Sequence, residues 1–325
     1  MRNLLLTTFI ITASTGALNA EDNFFKTQLP GIIENIARGA EQGDVGGAAE
    51  AEIAGYTLNF LNSTVDEAEQ RILAGSNFTH LEISIGQDAL GLDSGSASKT
   101  ELMSVYRLYE TDNVFLFNQT SLMNFDRRNT VNFGLGGRHI NDSETVITGL
   151  NAFFDYETGS THRRTGIGAE LLTSMLEFRT NKYTRASSTL TVDGINETAL
   201  DGYDVKLTAN LPYFYSSDVY FTRTEWNDGD GYTSRTDEFG LYAEVMPNLT
   251  VSVAQQNQRG QTGETVASVS YSVPLGPSAQ SNKKMQDGKW QANMKPIREK
   301  LHKPVQRENR IAKKAIKLGV TVSGY

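Results

Sequence analysis

The sequence predicts an all-β chain: a 12-stranded antiparallel transmembrane β-barrel, preceded by a short helical segment and followed by a basic tail. Three observations carry this reading. Between Asn77 and Pro274 apolar and polar residues alternate, the pattern of strands with one face toward an apolar medium and the other toward water. The first twenty residues read as an export signal, and no later stretch reaches ~18 consecutive apolar residues, so no transmembrane helix is expected. The connections between strands also alternate between long and short, as they do in outer-membrane barrels.

At the N-terminus Arg2 supplies the charge, Leu4 to Ala13 the apolar run, and Thr15-Gly16-Ala17 or Leu18-Asn19-Ala20 the small-residue end, with cleavage after Ala17 or Ala20. Residues 21–75 read as a periplasmic helical segment. Leu29, Ile32, Ile33 and Ile36 keep helical spacing between Pro30 and Gly39. Thr64 and Glu67 form a capping box ahead of Val65, Ala68 and Ile72.

From residue 76 to 276 the period is two. Tyr203, Val205, Leu207, Ala209 and Leu211 line one face of a segment, while Asp204, Lys206, Thr208 and Asn210 line the other. Twelve such segments fall at 78–87, 99–109, 114–123, 129–139, 144–156, 162–172, 175–186, 200–211, 217–226, 235–246, 248–257 and 265–274. Strands of this length suit a bilayer. The odd-numbered connections span about 11, 5, 5, 13, 8 and 7 residues and the others about five or fewer. Val269, Tyr271 and Val273 make a good lipid-facing last strand. Ser323 and Thr321, which share the face of Tyr325, do not, so the barrel is expected to close before the tail. Phe153, Phe154, Tyr156, Tyr213, Phe214, Tyr215, Tyr220, Phe221, Trp226 and Tyr242 are read as interfacial girdles.

Composition narrows the function. Among 325 residues there is no cysteine, which removes disulfide scaffolds, thiolate metal sites and thiol catalysis. Four histidines make a histidine-rich metal site a poor expectation, and no cofactor is expected. His162 beside Glu157 and Asp155 is a weak version of a barrel-protease site, and the His–Ser pair of a barrel phospholipase, in its own motif, is not found around any of the four histidines. No enzyme is expected. The string Gly134-Leu135-Gly136-Gly137 lacks the helix that a phosphate-binding fingerprint requires.

Charge is uneven. From Ala279 onward twelve basic residues face three acidic ones, a net of +9, so the remainder carries −17 of the chain's total of −8. By strand parity Asp155, Glu170, Asp204 and Glu244, with Arg138 and Lys206, point into the lumen. An acidic lumen would receive Arg298, Lys300, Arg307, Arg310, Lys313 and Lys314 of the tail, since confinement strengthens the attraction of unlike charges. The rival reading is that the inward charges pair across strands or are solvated. A basic tail also suits anionic lipid, including lipopolysaccharide phosphate, but an exported chain without a nucleic-acid fold is not expected to bind nucleic acid.

Several strings have a familiar order. Phe115-Leu116-Phe117-Asn118-Gln119 is followed by Asn132-Phe133-Gly134-Leu135-Gly136-Gly137-Arg138 and Gly149-Leu150-Asn151-Ala152-Phe153-Phe154-Asp155-Tyr156. Then come His162-Arg163-Arg164-Thr165-Gly166-Ile167-Gly168-Ala169-Glu170, Asn181-Lys182-Tyr183 and Leu200-Asp201-Gly202-Tyr203-Asp204-Val205. This series resembles the inverse autotransporter β-domain of the intimin/invasin type over residues 75–275, and Pro304 to Ile311 is similar to its post-barrel linker. The resemblance implies a translocator in a Gram-negative outer membrane, with its N-terminus in the periplasm and its C-terminal segment returning through the pore. It also implies insertion by the barrel-assembly machinery with periplasmic chaperones, and contact with outer-membrane lipid and lipopolysaccharide. Such relatives display a folded passenger, whereas residues 277–325 read as a pore linker and tail too short for one. Two other readings stay open. One is a surface adhesin or receptor acting through loops 88–98, 187–199 and 227–234; the other is a small-solute pore.

Overall fold

A computed structural model describes residues 77–86, 99–125, 128–211, 217–246, 248–274, 294–317 and 320–323. The export signal, the helices expected over 21–75 and loop 88–98 lie outside these residues. Among the described residues there is no α-helix, only a 3₁₀ turn at Arg298–His302.

Twelve strands close an antiparallel barrel. They are β1 (Phe78–Gly86), β2 (Lys99–Glu110), β3 (Val114–Phe125), β4 (Arg128–Ile140), β5 (Val146–Glu157), β6 (Arg163–Thr173), β7 (Leu176–Arg185), β10 (Asp201–Asn210), β11 (Ser217–Asn227), β12 (Thr233–Met246), β13 (Leu249–Gln258) and β14 (Glu264–Pro274). Each pairs with the next, and β14 returns to β1 with Leu81 opposite Val273 and Ile83 opposite Tyr271. Closure therefore comes at the expected strand and leaves no unpaired edge. Strand β5 shows the alternation most clearly: Ile147, Asn151, Phe153, Asp155 and Glu157 are buried inside, while Leu150 is 71% exposed on the outer face with Phe154.

Four short strands form a second sheet at one mouth of the barrel, in the order β16-β15-β9-β8. Strands β8 (Leu190–Val192) and β9 (Ile195–Ala199) are a hairpin within the β7–β10 connection; β15 (Lys313–Lys317) and β16 (Val320–Ser323) come from the tail. The hairpin replaces what the sequence reading treats as a plain loop. Its turn residues Asp193 and Gly194 both have positive φ, 51° and 78°. An Asp-Gly pair between β-branched runs is a strong two-residue hairpin signal, because its backbone twist matches that of the flanking strands.

The interior departs from expectation in one respect. Phe153, Tyr220 and Trp226 are buried in the lumen rather than placed in outer girdles, and Tyr242 stacks on Tyr220 at 4.3 Å. Phe154 and Phe221 do face outward, while Tyr213, Phe214 and Tyr215 lie outside the described residues. Strand parity decides this: Phe153 shares the face of Asp155, so its ring must enter the barrel. Inward glycines on neighbouring strands make room for such rings. A Cβ on Gly134 would fall 2.2 Å from the Phe153 ring, and one on Gly136 would fall 2.3 Å from Phe117. We therefore expect Gly134→Ala to destabilise the barrel by about 1–3 kcal/mol through overpacking. Thermal unfolding in detergent checks this, and in a Phe153→Ala background, itself destabilised, the same glycine change should cost less. Equal stability of Gly134→Ala and the parent would contradict the packing assigned to this glycine.

Candidate functional site: an occupied lumen

The barrel has a turn end, carrying connections 111–113, 141–145 and 174–175, and a loop end, carrying the β8–β9 hairpin. Contacts of residues 295–315 progress from the first to the second. At the turn end Ile297 N donates to Glu144 O at 2.7 Å, and Arg298 pairs with Glu144 at 2.8 Å. Lys300 reaches Glu177 at 2.6 Å and the carbonyl of Thr173 at 2.8 Å. His302 meets Glu110 at 2.9 Å and packs edge-on against Phe115.

The next stretch is apolar. Ile297, Leu301 and Val305 are buried against Val105, Phe115, Phe117, Ile140, Ile147, Phe153 and Leu172 of the wall. A water-filled barrel would put such side chains outside. Here the 3₁₀ turn and the residues after it supply their partners, so this part of the lumen is a protein core. Each such burial removes apolar surface worth roughly 1.5–3 kcal/mol from water.

Above it the site is polar and densely paired. Asp155 accepts from Arg164 Nε at 2.8 Å, from Asn132 at 2.7 Å, and from both terminal nitrogens of Arg307 at 2.8 Å. The Arg307 guanidinium also lies 4.3 Å from the Phe153 ring centre and 5.3 Å from that of Tyr183. Glu170 holds Arg138 at 2.9 Å and Arg179 at 3.3 Å. Tyr183 donates to Asp204 and accepts from Glu308 N at 2.7 Å. Groups this buried persist only as paired, hydrogen-bonded sets, because an isolated charge is too costly to desolvate.

At the loop end β15 adds to β9, with Lys314 opposite Thr198 and Ala315 opposite Glu197. Lys313 pairs with Glu157 at 2.6 Å and Lys314 with Asp228 at 2.6 Å. Arg128 grips Glu197 of the hairpin through two bonds, at 2.8 and 2.6 Å. Beneath the hairpin, buried His162 sits with Nδ1 3.0 Å from Ser187 Oγ and Nε2 3.7 Å from Glu197. Burial, together with the charge of Lys313, lowers its pKa.

The family model for the inverse autotransporter β-domain matches residues 34–309. The chain belongs to this family. Among curated proteins it is 30% identical over 141 residues to the inverse autotransporter adhesin YeeJ of Escherichia coli K12, covering 42% of this chain and 6% of that protein. It is 27% identical over 165 residues to invasin of Yersinia enterocolitica, covering 49% of this chain and 19% of that protein. An attaching and effacing protein homolog of Escherichia coli K12 is 30% identical over 120 residues, 36% of this chain and 40% of that one. The chain thus spans less than half the length of each. A solved chain described under "Unveiling the Mechanism Behind the in-meso Crystallization of Membrane Proteins" shares the fold, with TM-score 0.60 and 17% identity over 74% of this chain and 100% of that chain. As a closed barrel of this family, the protein is an outer-membrane anchor.

Within this inverse autotransporter barrel, the six wall residues singled out by parity divide into groups. Asp155, Glu170, Asp204 and Arg138 line the polar centre. Lys206 lies over the rings of Tyr220 and Tyr242, at 4.5 and 4.6 Å. Glu244 accepts from Asn248 N beside the β12–β13 turn at 3.0 Å. Of the tail residues, Arg298, Lys300, Arg307, Lys313 and Lys314 make the ion pairs above, and Arg310 lies over Phe125 at 4.5 Å. Sequence reasoning misses Arg164, Tyr183, Gln119, Asn132, Asn181 and the hairpin. Arg164 lies within the His162 to Glu170 motif, but inward parity alone does not say which inward group meets the tail. The contact of His162 with Ser187 is also not visible in the sequence. His162 precedes β6 and Ser187 follows β7, and the antiparallel pairing of those two strands brings them together.

Asp228, in the loop after β11, has its pKa lowered to about 2, chiefly by the hydrogen bond from Lys314 and then by the amides of Asp230 and Tyr232. A depressed carboxylate gives stability that is present above its unfolded pKa near 3.8 and lost as pH falls toward 2. Hydrogen-exchange protection in β15 should therefore drop between about pH 4 and pH 2. With Asp228→Asn it should be low already at pH 6, and protection unaffected by that change would contradict the pairing.

Proposed function

We propose that this chain threads its own C-terminal segment through the barrel and holds it there, as a non-enzymatic anchor that displays whatever follows at the cell surface. In this reading the turn end faces the periplasm with the N-terminal segment, and the loop end faces outward. The observation that carries it is the unbroken run of contacts from Ile297 at the turn end to Ala315 on β9. The outward band of Leu135, Leu150, Ile167 and Phe239 suits contact with lipid and lipopolysaccharide. Insertion would use the barrel-assembly machinery and periplasmic chaperones. The relatives' names, adhesin and invasin, suit a role in attachment carried by the displayed part.

Two alternatives have less support. A small-solute pore needs an open lumen, yet Leu301 and Val305 are buried within this one. An adhesin working through the β7–β10 loop would have to use a hairpin already occupied by β15. An epitope tag after Tyr325 tests the proposal. Antibody should bind intact cells as well as permeabilised ones; binding only after permeabilisation would overturn display of the C-terminus.

A further inference from the structure

The wall treats the tail as a main chain more than as a set of side chains. Arg138 donates to the carbonyls of Leu301, at 2.8 Å, and Lys303. Gln119 both donates to Val305 O at 3.1 Å and accepts from Val305 N at 2.7 Å, as a neighbouring strand would. Asn181 donates to Gln306 O at 3.1 Å, Arg164 to Glu308 O at 2.6 Å and Asn132 to Asn309 O at 2.9 Å, while Tyr183 accepts from Glu308 N. Each residue of an extended chain offers an N–H and a C=O, proline lacking the former, and the pattern repeats every two residues. Such bonds can hold a polypeptide in the lumen, but they cannot tell one register from another two residues away.

Of the charged side chains, the one that can is Arg307. It is 1% exposed, and its fork meets both oxygens of Asp155, itself fully buried. A slip of two residues would place Val305 or Asn309 opposite Asp155 and leave the guanidinium without its carboxylate. The remaining cations are poorer rulers. Lys300, Lys313 and Lys314 have long, partly exposed stems that can follow a slip. The contact of Asn309 with Glu101 is made by a short neutral amide.

Resting on the threading reading, we propose that the lumen is a binding tract for extended polypeptide main chain, and that Arg307 is the positioning residue that fixes the register of the segment within it. The tract therefore fixes its register through the arginine that meets Asp155, while Leu301 and Val305 supply apolar hold below it.

The absence of cysteine makes the test clean. Thr198 and Lys314 are register partners on β9 and β15, and antiparallel partners lie within disulfide reach. Three double-cysteine chains are compared: Thr198→Cys with Lys314→Cys, with Ala312→Cys, or with Ile316→Cys. In the parent background the first pair should form the disulfide at least about tenfold more than the other two, each being displaced by two residues. Adding Arg307→Ala should cut that selectivity to about twofold or less, while Arg307→Lys should fall between, because lysine keeps the charge but not the fork. Asp155→Asn, nearly isosteric, should act as Arg307→Ala does and guards against a folding defect of the latter; heat-dependent gel mobility reports the folded barrel in each case. Selectivity as sharp as the parent's in both Arg307→Ala and Asp155→Asn would overturn the register assignment and leave threading intact. No disulfide in any of the three parent-background pairs, two of which keep Lys314 and its pairing with Asp228, would overturn threading, and this proposal with it.

Discussion

Asp155 is fully buried between two guanidinium groups, one from the wall at Arg164 and one from the tail at Arg307. Much else in the molecule follows from the need to keep such charges paired in a closed, narrow space. A barrel of twelve strands encloses more room than its smaller inward side chains fill. The wall alone could not solve this, because half the residues of every strand are committed to lipid. Here residues 297–312 occupy that room, and their charges pair with those of the wall. Glu170 between Arg138 and Arg179, and Glu157 between Arg128 and Lys313, repeat the arrangement toward each end.

The lumen is graded along its axis. Near the turn end an apolar cluster of wall and tail residues excludes water; the centre is a hydrogen-bonded ionic network; the loop end is a small sheet completed by the tail itself. Each layer uses a different force. Apolar contact gives hold without direction, ionic pairing gives position, and strand addition gives an end stop through main-chain bonds. The network's value for specificity is clearer than its value for stability, since burying paired charges returns little net free energy.

The sequence shows the wall well and its contents poorly. Period-two alternation in segments such as 203–211 places the strands to within a few residues, because every outward position meets the same apolar medium. The charge imbalance between the tail and the rest is legible from residue counts alone and points to their association. Inward aromatics such as Phe153 and Trp226 are harder, because a hydrophobic ring looks the same whether it meets lipid or a plug; only parity, applied strictly, separates the two. The Asp193-Gly194 turn is legible too, yet it lies inside a connection whose length suggests an irregular loop. The pairing of His162 with Ser187 depends on the exact register of β6 against β7, and that of Arg164 with the carbonyl of Glu308 on where the tail lies in the lumen, which no local pattern encodes.

The most direct test of an occupied lumen is the conductance of the purified full-length chain in a planar lipid bilayer. The account predicts a closed barrel, with no steady conductance at neutral pH. A stable, ohmic conductance of the size expected for an empty twelve-stranded pore would show that residues 297–312 do not fill the lumen, and would contradict the account at its centre.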